Sequence, residues 1–175
     1  FSAGITDLTT TGAWNVKLFP VQTGATVYIP GDAWVIGSFD TRNSNDVTII
    51  GHGVLSGEYT TNAIVGALPT FAEQHVYSAI YGFVAGNLFT GNTIEGITIV
   101  DSPFYSIAEG ANIVDAVMVL VPFHNNTDGI KALGDTTDDD KFYVRNCVVW
   151  VGADAIDLSS FRRNGVITNN LVSTS

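Results

Sequence analysis

Asn126-Thr127-Asp128-Gly129-Ile130-Lys131 and Gly152-Ala153-Asp154-Ala155-Ile156-Asp157 share one pattern, Asp-small-Ile-charged, with the two aspartates 26 residues apart. That interval suits one coil of a parallel β-helix, whose strands stack about 4.8 Å apart. Residues at equivalent places in successive coils then sit side by side on one face, so Asp128 and Asp154 become neighbours. Two carboxyl groups flanking a glycosidic oxygen are what hydrolysis of that bond requires.

Working outward, polar-then-β-rich runs recur along the chain: Asp46-Val47-Thr48-Ile49-Ile50, Gly96-Ile97-Thr98-Ile99-Val100, Asp115-Ala116-Val117-Met118-Val119, Asn146-Cys147-Val148-Val149-Trp150 and Asn169-Asn170-Leu171-Val172-Ser173. Their starts are separated by 50, 19, 31 and 23 residues, which reads as two coils, one coil, one coil with an insert, and one coil. β-Branched residues fill the runs, and Gly, Asn and Asp mark the corners. Helical spacing is scarce. A sandwich or antiparallel barrel would also give short strands, but neither needs the same phrase at coil length. The expectation is an all-β, right-handed parallel β-helix in one domain spanning 1–175.

The chain has 175 residues, 46% of them hydrophobic and 14% charged, enough for one core and unlike a disordered tail. A net charge of −10 argues against nucleic acid and against anionic membrane surfaces, and leaves a neutral polymer or a small neutral ligand as the better partner. No apolar run reaches the roughly 18 residues that span a bilayer. Low lysine, abundant Gly, Thr and Asn, and acidity suggest an extracellular protein. Asn125 opens an Asn-Asn-Thr triplet, a glycosylation acceptor in a eukaryotic secretory route. Cys147 lies within the run 144–151 and reads as a buried thiol.

Several residues could carry chemistry. Each repeat isoleucine continues the inward alternation, so Lys131 and Asp157 face outward at matching positions, where a cross-coil ion pair is the plain reading. Asp128 and Asp154 stand two residues before their isoleucines and need a local bulge to reach the surface; capping a turn is the alternative. Tyr105 precedes Ile107 as Asp128 precedes Ile130, so its ring serves either as a sugar-stacking platform or as packing under a loop. His124, four residues before Asp128, reaches the cleft or occupies a surface corner. His52, in Gly51-His52-Gly53, reads as a turn residue, and Trp150 as core or part of a stacking ladder. The acidic stretch 134–141 lacks ordered calcium-ligand spacing. No histidine pair has zinc spacing, and neither metal nor cofactor is expected. Residues 60–89 repeat least and suggest an excursion forming a groove wall.

The phrases Thr26-Val27-Tyr28-Ile29-Pro30-Gly31, Val47 to Glu58, Asp101-Ser102-Pro103-Phe104-Tyr105-Ser106-Ile107, Thr127-Asp128-Gly129-Ile130 and Asp154-Ala155-Ile156 together resemble the dextranase and isopullulanase family of glycoside hydrolases. The resemblance runs from about Thr26 to the end of the chain. Polygalacturonases are similar more distantly. The resemblance implies a β-helix acting on a neutral α-glucan by inverting hydrolysis, with Asp128 and Asp154 in the catalytic group; register and spacing make Tyr105, His124, Lys131 and Asp157 the candidate substrate-binding residues, although exchanged signs at the last two also fit a structural ion pair. It also implies a general acid where Ala153 stands, and opposite charges where Lys131 and Asp157 stand. Activity is therefore expected to be impaired, with a non-catalytic glycan-binding or structural β-helix as the alternative. Family members carry a preceding β-sandwich and further coils, so a shortened or partial version is implied. Open β-helix ends make end-to-end self-association available.

Overall fold

The computed structural model describes residues 1–8, 18–60, 65, 67, 68, 70, 73, 74, 76–82, 91–108, 111–122, 127–131, 142–158 and 165–175. These form a right-handed parallel β-helix with three strands per coil, the hand that parallel crossovers take almost without exception. The first sheet stacks β1 (Gly4–Asp7), β4 (Ala33–Ile36), β7 (Val54–Ser56), β10 (Thr98–Val100), β13 (Met118–Val121), β16 (Val148–Val151) and β19 (Leu171–Thr174). The second stacks β2 (Leu18–Pro20), β5 (Ser38–Asp40), β8 (Ile80–Tyr81), β11 (Ile107–Ala108), β14 (Ile130–Lys131) and β17 (Ile156–Asp157). The third stacks β3 (Thr26–Ile29), β6 (Thr48–Gly51), β9 (Thr93–Glu95), β12 (Ile113–Asp115), β15 (Tyr143–Arg145) and β18 (Val166–Thr168).

Each sheet sends one column of apolar side chains into the axis. Val35, Leu55, Ile99, Val119 and Val149 stack in the first, Phe39, Ile80, Ile107 and Ile130 in the second, and Val27, Ile49, Ile94, Val114 and Val144 in the third. Burying such a side chain stabilises by roughly 1.5–3 kcal/mol, so the columns are the main force holding coil upon coil. Cys147 is buried in another column, at the corner between the third and first sheets, with Ile97 and Val117. Burial pushes its thiol above the ordinary range.

That corner is set by one residue of left-handed conformation per coil: Gly96 (φ 74°), Ala116 (φ 52°), Asn146 (φ 56°) and Asn169 (φ 54°). Two expectations about the repeats shift accordingly. The residue equivalent to Asn146 is Ala116, not Asp115, which pairs with Arg145 inside the third sheet. Asp46 belongs to a different corner, since it leads into β6 of the third sheet, whereas the other runs lead into the first. Gly51-His52-Gly53 does form the turn between β6 and β7. A Cβ on Gly51 would lie 1.9 Å from the Ile29 carbonyl oxygen, so only glycine fits there.

Trp150 also differs from expectation: Val149 fills the inward position, so Trp150 faces out and is 44% exposed. The excursion at 60–89 rejoins the coil at β8. Val65, Leu68, Val76 and Tyr77 from this stretch pack with Phe104, Tyr105 and Ala108 in a second apolar cluster outside the second sheet. Among the described residues, no helix is long and apolar enough to cross a membrane.

Candidate functional site

The outer surface of the second sheet gathers the acidic positions. Backbone pairing continues past its strand ends: the Ser106 amide donates to the Asp128 carbonyl at 2.9 Å, and the Gly129 amide to the Asp154 carbonyl at 2.9 Å. Tyr105, Asp128 and Asp154 thus follow one another in file on successive coils. The turn outward comes from a slip in the alternation, because Ala155 and Ile156 are adjacent yet both pack against the core. Gly129 occupies the matching place one coil earlier. A Cβ there would meet the Ala155 carbonyl oxygen at 2.4 Å and Val149 Cγ1 at 2.5 Å, so the close approach of the two coils requires glycine beside Asp128.

Five side chains from three coils converge here. Lys131 Nζ lies 3.0 Å from Asp157 Oδ2, the pair standing in direct register on β14 and β17. The same ammonium donates to the Tyr105 hydroxyl at 3.3 Å and lies 4.7 Å from the ring centroid, at the oxygen end of the ring. Tyr105 in turn hydrogen-bonds to Asp128, whose Oδ1 accepts the Asp154 amide at 3.1 Å. The network runs from Asp157 through Lys131, Tyr105 and Asp128 to the backbone of Asp154.

Burial divides the group. Tyr105 is 7% exposed, and Asp128 and Asp157 are each 9% exposed, whereas Asp154 is open to solvent. The Lys131–Asp157 pair is therefore a nearly buried one. Tyr105 is packed with Phe104, Val65, Val76 and Tyr77, so it offers the site its phenol and not a free ring face.

Electrostatics follow from this packing. Burial pushes the Asp128 carboxyl above the ordinary carboxylate range, and the neighbouring carboxylates of Asp154 and Asp157 push the same way. The Asp154 amide and the Tyr105 phenol oppose that rise without cancelling it. Burial also raises the Tyr105 phenol against the pull of Lys131. Burial pulls the Lys131 ammonium down, but Asp157 and Tyr105 outweigh it and leave it raised.

Ala153 is half-buried at the corner beside Asp154 and brings no carboxyl. His124 and Asn125 lie outside the described residues, as does the acidic stretch 134–141. Among the described residues, no three of His, Cys, Asp and Glu are grouped so as to hold a metal ion.

Sequence reasoning passed over a second charged group on the same outer row. Asp40, Tyr81, Ala108, Lys131 and Asp157 follow one another in register. Arg42 clamps Asp40 through Nε at 2.9 Å and Nη2 at 2.7 Å, and lies 4.4 Å above the Tyr81 ring. No repeat marks these residues, since the long excursion separates Asp40 from Tyr81. Nearby, Tyr59 is bonded to Ser38 at 2.9 Å, and its phenol is pushed up to about 12 by burial.

Compared with models of known protein families, with curated proteins and with solved structures, the chain matches none of them.

Proposed function

We propose that this chain is a polysaccharide-acting β-helix that meets a neutral glucan outside the cell along the outer surface of its second sheet, in the manner of a dextranase-like inverting hydrolase. The observation that carries the reading is the convergence of Tyr105, Asp128, Lys131, Asp154 and Asp157 from three consecutive coils, with Asp128 and Asp157 buried and Asp154 open. Burial that raises a carboxyl suits it to carry a proton to a leaving group. Asp128, whose carboxyl burial raises, is the candidate donor to the leaving oxygen, in place of the carboxyl that Ala153 lacks. Asp154, solvated, activates the water. Lys131, held by Asp157 and Tyr105, fixes the position of the phenol that bonds Asp128.

Reducing-sugar release from dextran and pullulan tests this directly. Slow release is expected from the wild type, with a loss of about 10²-fold or more in Asp128→Asn and in Asp154→Asn, and a gain in Ala153→Asp within the roughly 10²- to 10⁴-fold range of general acid catalysis. No release from either glucan by the wild type or by Ala153→Asp removes the hydrolase reading.

A second reading, glycan binding without turnover, is favoured by the same acid: Asp128 is 9% exposed and already engaged by the Asp154 amide and Tyr105. Retarded migration in gels containing dextran or pullulan, with no sugar released, supports that reading over hydrolysis.

A further inference from the structure

We propose that two copies of this chain associate face to face through the outer surface of the first sheet, a surface separate from the acidic cluster. Parallel sheets are ordinarily covered on both sides, and their strands then read as continuous apolar runs. The first sheet reads that way, with Ala33-Trp34-Val35-Ile36, Met118-Val119-Leu120-Val121 and Val148-Val149-Trp150-Val151. Its inner side is filled by the core column; on the outer side Ser56 is buried at mid-sheet, its hydroxyl on Glu58, while positions nearer the two ends are open. Ile5 is 77% exposed there, Met118 39%, Trp150 44% and Leu171 68%.

Register makes these residues one continuous surface. Ile5 lies beside Trp34, Met118 beside Val148, Val148 beside Leu171, and Leu120 beside Trp150. Among the described strands, the outward positions of this sheet carry a single charged side chain, Asp7, at one edge. The third sheet, by contrast, presents Glu95, Asp115 and Arg145 outward, and the second presents Asp40, Lys131 and Asp157.

That distribution selects the occupant. In a chain of net charge −10, this is the face on which two copies can meet without burying like charges. Aliphatic side chains with Met and Trp and almost no charge are also the composition of homodimer interfaces. Two such sheets pack about 10 Å apart, as in a sandwich. The area sets the strength. Seven strands at about 4.8 Å spacing give a face roughly 30 Å by 10 Å, below the ~800 Å² per partner of stable complexes. The dimer is therefore weak and forms at high concentration.

Sedimentation velocity from micromolar to millimolar protein tests this. The expected result is a mass that rises from monomer to dimer and then stops, with Trp150→Glu and Met118→Lys each weakening association by about tenfold or more while circular dichroism and Tm stay unchanged. A monomer at every concentration overturns the proposal, as does a dimer indifferent to both substitutions. Growth beyond the dimer that is abolished by Val172→Asp, on the terminal strand, overturns it in favour of end-to-end stacking. None of these outcomes depends on glucan binding.

Discussion

Two ion pairs in this molecule obey the same construction rule in different surroundings. Lys131 faces Asp157 across β14 and β17, and Asp115 faces Arg145 across β12 and β15, each pair occupying one rung of a parallel ladder. Arg145 Nε lies 2.8 Å from Asp115 Oδ2, the arginine side chain being 45% exposed, while both partners of the lysine pair are 10% exposed. On the third sheet the Asn146 amide holds the Asp115 carboxyl below the ordinary range, Arg145 adds to the effect, and slight burial opposes it. On the second sheet a neighbouring carboxyl, Asp128, is raised. Stacking alone therefore decides which residues meet. What covers them decides what the meeting does.

Removing the cation from each pair separates the two environments most sharply. Lys131→Met takes the ammonium away from the nearly buried Asp157 and should destabilise by about 3–5 kcal/mol, or roughly 10 °C in Tm, as read by thermal unfolding. Gly129→Ala comes next. The new methyl collides with backbone that the core column holds in place, for a loss of about 1–3 kcal/mol, measured by urea unfolding.

Replacing the acids gives a smaller effect with opposite signs. Between the ordinary and the raised value, folded Asp128 binds more protons than unfolded Asp128, so its contribution to stability is present at low pH and lost as pH rises through the raised value. Asp128→Asn should therefore raise Tm at neutral pH, and the gain should vanish below the ordinary carboxylate range. Asp115 works the other way, since its folded form binds fewer protons. Asp115→Asn should lower Tm at neutral pH, with the deficit closing as pH falls through the depressed value. Parallel pH dependences in the two variants would erase the contrast. The smallest change is expected from Arg145→Ala, which should cost at most about 1 kcal/mol.

Much of this was legible in the sequence, for a physical reason. A β-helix repeats its environment once per coil, so Asp128 with Asp154 and Lys131 with Asp157 announce their adjacency by spacing. The corner register was harder to read. It depends on a left-handed residue, a conformation that Gly and Asn mark clearly and Ala116 does not, so the polar Asp115 stood out one place too early. Trp150 misled because a large apolar side chain in a strand suggests the core, whereas the alternation hands that place to Val149. Burial of Tyr105 and Asp128 was the least visible property. Tyr105 is packed with Val65, Val76 and Tyr77, which belong to no repeat.

Strand contacts in the solenoid run almost entirely between a coil and the coils directly above and below it, with β3 and β4 meeting at a corner. Such an object has no closure condition, because its first and last turns never need to find each other. Its length is then a free parameter for evolution and for engineering. A whole turn such as 146–168 could be duplicated or excised with every neighbour still presented a surface of the same shape, and stability would change by nearly constant increments per turn.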